Sequence, residues 1–291
     1  MPELAETFIL AAQLSQLLAV PFETDSRLYL PQNLSVPVLG KIEYKLVVHD
    51  MISLCGDLSV EEALGKGATP VRVQHQGKKI WILWKTGTAV LEIEARLGMT
   101  GGFTLEKTKH TRLEFKSEKG SFFFNDIRKF GGIVSAVSAI APSATAVCNQ
   151  EQLYYDAMEY RDYTLKEILV DQKILFSGVG NYLANEVCFK TALHPDTHVG
   201  LISQKEFALI VRQIYLIVNE SVVLGGCTLR DFSDVLKRPG RFQERLMIYG
   251  KKECPSCGKP VKVIRRDGDT TSWVCTKCQN LSRLHPLADP H

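Results

Sequence analysis

No stretch of this 291-residue chain is apolar over the roughly 18 residues that a membrane-spanning helix needs, so no membrane partner is expected. The first twenty residues lack the basic flank of a secretory signal and carry Glu3 and Glu6. No internal repeat recurs. Neither charge dominates: 35 lysines and arginines stand against 32 aspartates and glutamates, a net +3. The cysteines do not form a disulfide framework. Four of the eight crowd near the C-terminus, while Cys55, Cys148, Cys188 and Cys227 are scattered. Free, mostly buried thiols in a reducing compartment follow, and a cytoplasmic location with them. What is present is ordinary material for real cores, with 45% hydrophobic and 23% charged residues. The length suits two domains and a small appendage.

Residues 4–20 read as one helix, with Phe8, Ile9, Ala12, Leu14 and Leu18 at roughly helical spacing and Pro21 as its stop. From 34 to 137 the pattern changes to short strands, among them 71–73, 80–84, 89–93, 111–115 and 121–125, which suggests a sandwich or barrel-like sheet. The Ala/Ser/Val-rich stretch from Ser138 begins a linker over 138–149, and helices follow from Gln150 to about 236. Gly178 to Asn181 breaks one helix and starts the next, and Gly225-Gly226 breaks another. A basic loop opens the last segment at 237–281, and 282–291 reads as a frayed tail.

That last segment holds Cys254-Pro-Ser-Cys257, then seventeen residues, then Cys275-Thr-Lys-Cys278. Two CxxC knuckles at this spacing close one tetrahedral site for a structural zinc ion, with a β-hairpin between them. The hairpin carries Lys259, Lys262, Arg265 and Arg266. From Lys237 onward there are 12 basic and 5 acidic side chains, so about +7 sits in 55 residues and the remainder is slightly acidic. This asymmetry favours a polyanionic partner, DNA or RNA, over a protein-binding zinc ribbon.

The opening Met1-Pro2-Glu3 adds chemistry. Removal of Met1 leaves a secondary amine on Pro2 that titrates near pH 8 and attacks an aldehydic carbon. Glu3 and Glu6 beside it are placed to shuttle protons. Asn181, after two glycines at a helix start, suits either a phosphate or an N-cap, and the bare glycine backbone favours phosphate.

Five segments then stand in order: the Pro2-Glu3 opening; Arg96-Leu-Gly-Met-Thr-Gly101; Asn125-Asp-Ile-Arg-Lys-Phe-Gly131; Gly178-Val-Gly-Asn-Tyr-Leu-Ala-Asn-Glu186; and Gly225-Gly-Cys-Thr-Leu-Arg-Asp-Phe232. With Arg238-Pro-Gly240, Tyr249-Gly-Lys251 and the cysteine knuckles, the set resembles the formamidopyrimidine-DNA glycosylase and endonuclease VIII family across nearly the whole chain. The resemblance implies an α+β protein. Its parts are an N-terminal helix with a β-sandwich (1–137), a helix-two-turn-helix domain (150–236) and a β-hairpin zinc finger, acting as a monomer on double-stranded DNA that contains oxidised bases or abasic sites.

It also implies roles. Pro2 is the Schiff-base nucleophile, Glu3 the acid/base on the sugar, and Glu6 its neighbour. Lys78 touches phosphate and assists elimination, with Lys79 the adjacent alternative. Met99, Arg128 and Phe130 fill the gap left by a flipped base. His110 and Arg161 meet the DNA backbone. This triad resembles the purine-lesion branch, so 8-oxoguanine and formamidopyrimidines are the expected substrates of a glycosylase and AP lyase of base-excision repair, close to the nucleoid in a bacterium. Oxidised pyrimidines, or weakly catalytic binding of damaged DNA, are the alternatives.

Two departures stand out. Ala5 replaces the proline usual in the opening, which loosens the turn expected to hold Glu3 and Glu6. Relatives carry an arginine five residues before the third cysteine, where it grips phosphate and supports the final elimination. Here Thr270 stands there, beside Asp267 and Asp269, leaving Arg265 or Arg266 to substitute.

Overall fold

The computed structural model describes residues 2–49, 58–135, 141–146, 148–229, 231–265 and 271–279. The sequence positions Cys55, Arg266 and Thr270 lie outside them. The chain forms two compact units, 1–139 with 221–243, and 140–220 with 244–291.

In the first unit, helix α1 (Leu4–Leu18) is buried at every residue except Gln16, so it is a core helix rather than a surface one. Glu3 is its N-cap, and Glu6 reaches back to close a capping box. The helix ends where Ala19 turns left-handed, at φ 52°, ahead of Pro21. Among the described residues nine strands follow, with helix α2 (Leu58–Gly65) after the second: β1 (Phe22–Thr24), β2 (Lys45–Val48), β3 (Thr69–Gln76), β4 (Lys79–Thr86), β5 (Ala89–Arg96), β6 (Gly102–Thr104), β7 (Thr111–Ser117), β8 (Gly120–Asn125) and β9 (Gly132–Val134).

They make a five-stranded sheet, ordered β1-β3-β4-β5-β9, and a four-stranded sheet, ordered β2-β7-β8-β6. Of these strand pairs only β1–β3 is parallel. Alternation in β7 turns Leu113 and Phe115 inward. Trp84 of β4 stacks on Phe115 at 5.7 Å, and Phe115 stacks on Phe122 of β8 at 4.5 Å, so aromatic rings join the two sheets. This is the sandwich expected from the sequence.

The segment 221–243 packs in this first unit, although the sequence groups most of it with the helices. The cause is hydrogen bonding to α1. Gln13 donates to Asp234 Oδ2 at 2.9 Å and accepts from Val235 N at 3.1 Å. Arg238, read as part of a basic loop, is largely used internally. It meets Asp234 at 2.6 Å and the carbonyls of Asn33 and Leu34 at 2.8 and 2.7 Å.

The second unit has helices α3 (Gln150–Met158), α4 (Leu165–Val170), α5 (Asn181–Lys190) and α6 (Gln204–Val223), then strands β10 (Lys262–Ile264) and β11 (Ser272–Val274) as an antiparallel pair. Asn149 and Thr164 cap α3 and α4 through their side chains. Among the described residues no helix is long and apolar enough to cross a membrane.

His75, on β3, is 2% exposed, and burial lowers its pKa from 6.5 to about 3. The folded state therefore holds it neutral, while the unfolded chain takes a proton below pH 6.5. Stability from this group is full above pH 6.5 and is lost as pH falls towards 3, at up to about 1.4 kcal/mol per pH unit. Urea melts at pH 6.5 and 5 should show this loss in the wild type and a smaller one in His75→Gln; equal losses would assign the acid sensitivity elsewhere.

Candidate active site and metal centre

Pro2 is buried and lines a pocket of about 240 Å³ whose other walls include Met99, Thr104, His110, Asn125 and Phe232. The next residues are fixed by α1. Glu6 Oε2 accepts from Glu3 N at 2.8 Å, and Glu6 Oε1 accepts from Cys227 N at 2.7 Å and Ser221 Oγ at 3.4 Å. The turn is held by these bonds without a proline at position 5, contrary to the loosening expected from Ala5. Glu3 itself is 4% exposed. Lys78 sits in the β3–β4 turn. Burial lowers its pKa, against the opposing pull of the Glu3 and Glu6 carboxylates. Lys79 is engaged differently, at 3.3 Å from the buried Glu94.

Met99, Arg128 and Phe130 come from two loops that lie back to back. Gly98 is left-handed at φ 56°, and a Cβ there would sit 2.9 Å from the Phe130 carbonyl carbon. At Gly131 a Cβ would meet Arg96 O at 2.5 Å. Both glycines are thus required by the close approach of the loops. Asp126, fully buried, ties them together. Its carboxylate accepts from Thr100 Oγ1, from Gly131 N at 2.7 Å and from Arg128 N at 3.1 Å. The result is an outward-facing set: Met99 is 43% and Phe130 66% exposed, and Arg128 Nη1 lies 3.6 Å from Met99 Sδ. Ile127, 52% exposed and also lining the pocket, joins the set and was missed in the sequence. Its place between Asp126 and Arg128, inside a quoted motif, is the signal that the sequence offers.

His110 lines the Pro2 pocket. Asn125 forms part of its wall, accepting from Thr108 and Thr111 and donating to Thr104.

Asn181 and Arg161 belong to the second unit. Arg161 is exposed. Gly180, not Asn181, is the N-cap of α5, and Asn181 is its first helical residue. The N-cap alternative for Asn181 is thereby removed. Its Oδ1 accepts from Asn185 Nδ2 at 3.2 Å.

The four cysteine sulfurs lie within 4.8 Å of one another. Sγ–Sγ separations are 3.7 Å for Cys254 and Cys278 and 3.5 Å for Cys257 and Cys275. Four thiolates about 2.3 Å from one ion in tetrahedral geometry stand about 3.8 Å apart, so the cluster fits a metal ion. The hairpin is anchored to the helices of its own unit. Asn185 Oδ1 accepts from Trp273 N at 2.8 Å, Lys166 Nζ donates to Thr271 O at 2.8 Å, and Glu186 accepts from the backbone of Met247, Ile248 and Tyr249. Of the other described cysteines, Cys188 is buried and its pKa is raised to about 12 by that burial, which keeps it an inert thiol.

A family model for the formamidopyrimidine-DNA glycosylase N-terminal domain matches residues 1–133, and one for the formamidopyrimidine-DNA glycosylase H2TH domain matches 140–233. The formamidopyrimidine-DNA glycosylase of Thermus thermophilus is 32% identical over 75% of this chain and 85% of its own length. The chain belongs to the formamidopyrimidine-DNA glycosylase family. The family's enzyme from Syntrophotalea carbinolica is 29% identical over 63% of this chain and 73% of its own. The crystal structure of MutM (Fpg) from Thermus thermophilus superposes with a TM-score of 0.75 at 27% identity, covering 96% of this chain and 98% of that one. Lactococcus lactis Fpg, in complex with DNA containing an abasic site, shares the fold at a TM-score of 0.75 and 21% identity, over 95% and 99% of the two chains.

Protein purified without chelator should carry one metal ion per chain by elemental analysis, and Cys275→Ser should carry far less. A metal-free wild type would overturn the assignment of the four-cysteine cluster.

Proposed function

We propose that this chain is a bifunctional DNA glycosylase and AP lyase that removes oxidised purines, 8-oxoguanine and formamidopyrimidines among them, from duplex DNA. The observation that carries the reading is the buried Pro2 at the wall of a pocket of about 240 Å³, with Glu3 fixed beside it and a Lys78 of lowered pKa in the field of the same carboxylates. Family membership and the DNA-bound Lactococcus lactis neighbours, two of them with Fapy-dG, support it.

With Met1 removed, the Pro2 nitrogen attacks C1′ of the damaged nucleotide. The C1′–N bond breaks and the base leaves with a proton. Glu3 protonates the sugar ring oxygen, and the opened sugar becomes an iminium on Pro2. That cation acidifies the C2′ proton. Its removal expels the 3′ phosphate, and a second elimination expels the 5′ phosphate. Glu6 holds Glu3 by its backbone, and Lys78 stands by a phosphate next to the lesion. Met99 and Phe130 enter the vacated stack, while Arg128 hydrogen-bonds the orphan cytosine. His110, Arg161 and Asn181 take backbone phosphates. Zinc is the ion expected from four thiolates, in a structural role only. Thr270 in place of an arginine favours a second reading, a weakly catalytic binder of damaged DNA rich in β-elimination product.

On an abasic duplex, borohydride should freeze a covalent protein–DNA adduct, and one extra residue placed before Pro2 should abolish it. Undiminished adduct in the extended protein would remove Pro2 from the mechanism. Arg128→Ala should lose about 1–3 kcal/mol of opposite-base discrimination, read as excision opposite cytosine against the other bases, with abasic-site cleavage less affected. A wild type indifferent to the opposite base would end the purine-branch reading.

A further inference from the structure

Thr7 and His75 lie outside every motif that the proposed reaction uses, yet they meet beneath it. The Thr7 hydroxyl is 2.8 Å from Gly77 O, the carbonyl just before Lys78, and 2.9 Å from Glu3 O. His75 Nε2 lies 3.2 Å from the same hydroxyl. On its other side His75 Nδ1 lies 3.1 Å from Thr24 Oγ1, which in turn accepts from Ser26 N at 3.1 Å. A consistent proton placement follows. Thr24 donates to Nδ1, Nε2–H donates to Thr7, and Thr7 passes its own proton to one of the two carbonyls. Thr7 is 1% and His75 2% exposed, and the imidazole packs edge-on to Phe8 at 5.7 Å. The chain of hydrogen bonds therefore runs from β1, through β3, to the turn bearing Lys78 and the first turn of α1 bearing Glu3.

Loss of the Thr7 hydroxyl removes a buried hydrogen bond between the first turn of α1 and the Gly77 carbonyl. The two backbone carbonyls that meet at Thr7 belong to the two segments whose side chains must share a site. Ordinary strand pairing does not supply this link, because Gly77 and Lys78 form the turn itself, outside the paired register.

We propose that Thr7 and His75 are positioning residues that hold the Lys78 turn against the Glu3 end of α1, a role that rests on Pro2, Glu3 and Lys78 acting as read above. Neither touches substrate in this scheme. They act by limiting where the lysine amine can stand, and misplacement on the ångström scale costs rate without costing binding.

The test compares full-length wild type, Thr7→Val and Thr7→Ser. Thr7→Val keeps the branched shape and deletes the hydroxyl, while Thr7→Ser restores it. Two quantities are read. The first is the single-turnover rate of borohydride-trappable adduct on an abasic duplex, alongside the Kd for that duplex. The second is the pH dependence of Lys78 acylation by trace anhydride, followed in its tryptic peptide, which needs no catalysis. Thr7→Val should slow adduct formation by about tenfold or more with Kd nearly unchanged. Its Lys78 should titrate closer to an ordinary lysine, near 10.4. Thr7→Ser should return both readings towards wild type. Unchanged Lys78 titration in Thr7→Val overturns the clamp, whatever the activity. A shifted titration with no loss of rate also overturns it. A shifted titration in a protein whose wild type forms no adduct supports the clamp as a device and instead removes the lyase reading.

Discussion

Glu6 is the group on which the N-terminal unit is built. It is 1% exposed, and its two oxygens accept backbone N–H groups from Glu3 and from Cys227, which lies 221 residues away in sequence. A carboxylate so placed is held by buried hydrogen bonds from Glu3 N, Cys227 N and Ser221 Oγ, and removing it would delete all three. The first turn of α1 and the backbone at Cys227 are both tied to that one side chain. The Cβ that Gly226 lacks would meet the Phe232 ring at 2.7 Å and Glu6 Cγ at 3.3 Å, so the chain passes between them only as bare backbone.

The same device recurs where other loops must be fixed. Asp126 gathers the backbone N–H groups of Arg128 and Gly131 and so presents the exposed Met99, Arg128 and Phe130. Glu186 gathers three consecutive N–H groups at 247–249 and seats the entrance to the cysteine hairpin on α5. At the Asp126 loops the exposed side chains are thus held by a buried acid behind them. This division of labour lets the outward set be flexible or apolar without loosening the loop that carries it.

Much of this is legible in the sequence alone. Cysteine spacing gave the finger, because ligand geometry fixes the spacing directly. The strand pattern pointed to the sandwich, because alternation in segments such as 111–115 reports one buried face. The glycines at 98 and 131 were readable as motif members, though the reason for them, a backbone-to-backbone approach, was not. What stayed hidden depends on contacts between residues far apart in the chain. The placement of 221–243 rests on Gln13 and Glu6 reaching across more than 200 positions. Thr7 and His75 look like an unremarked helix residue and an ordinary strand residue until the turn at Gly77 is brought to them. The N-cap of α5 was displaced by one residue, since Gly180 adopts the extended backbone that the cap needs and leaves Asn181 inside the helix.

In the proposed reaction the secondary amine of Pro2, and not the amine of Lys78, forms the covalent bond to the sugar. Lys78 is the natural rival, since it is a second amine whose pKa burial lowers and on which the Glu3 and Glu6 carboxylates also act. The direct measurement is to digest the borohydride-reduced adduct and locate the sugar remnant by tandem mass spectrometry. The account predicts the remnant on the nitrogen of Pro2 in a peptide that has lost Met1; a remnant on Lys78, with Pro2 unmodified, would contradict it.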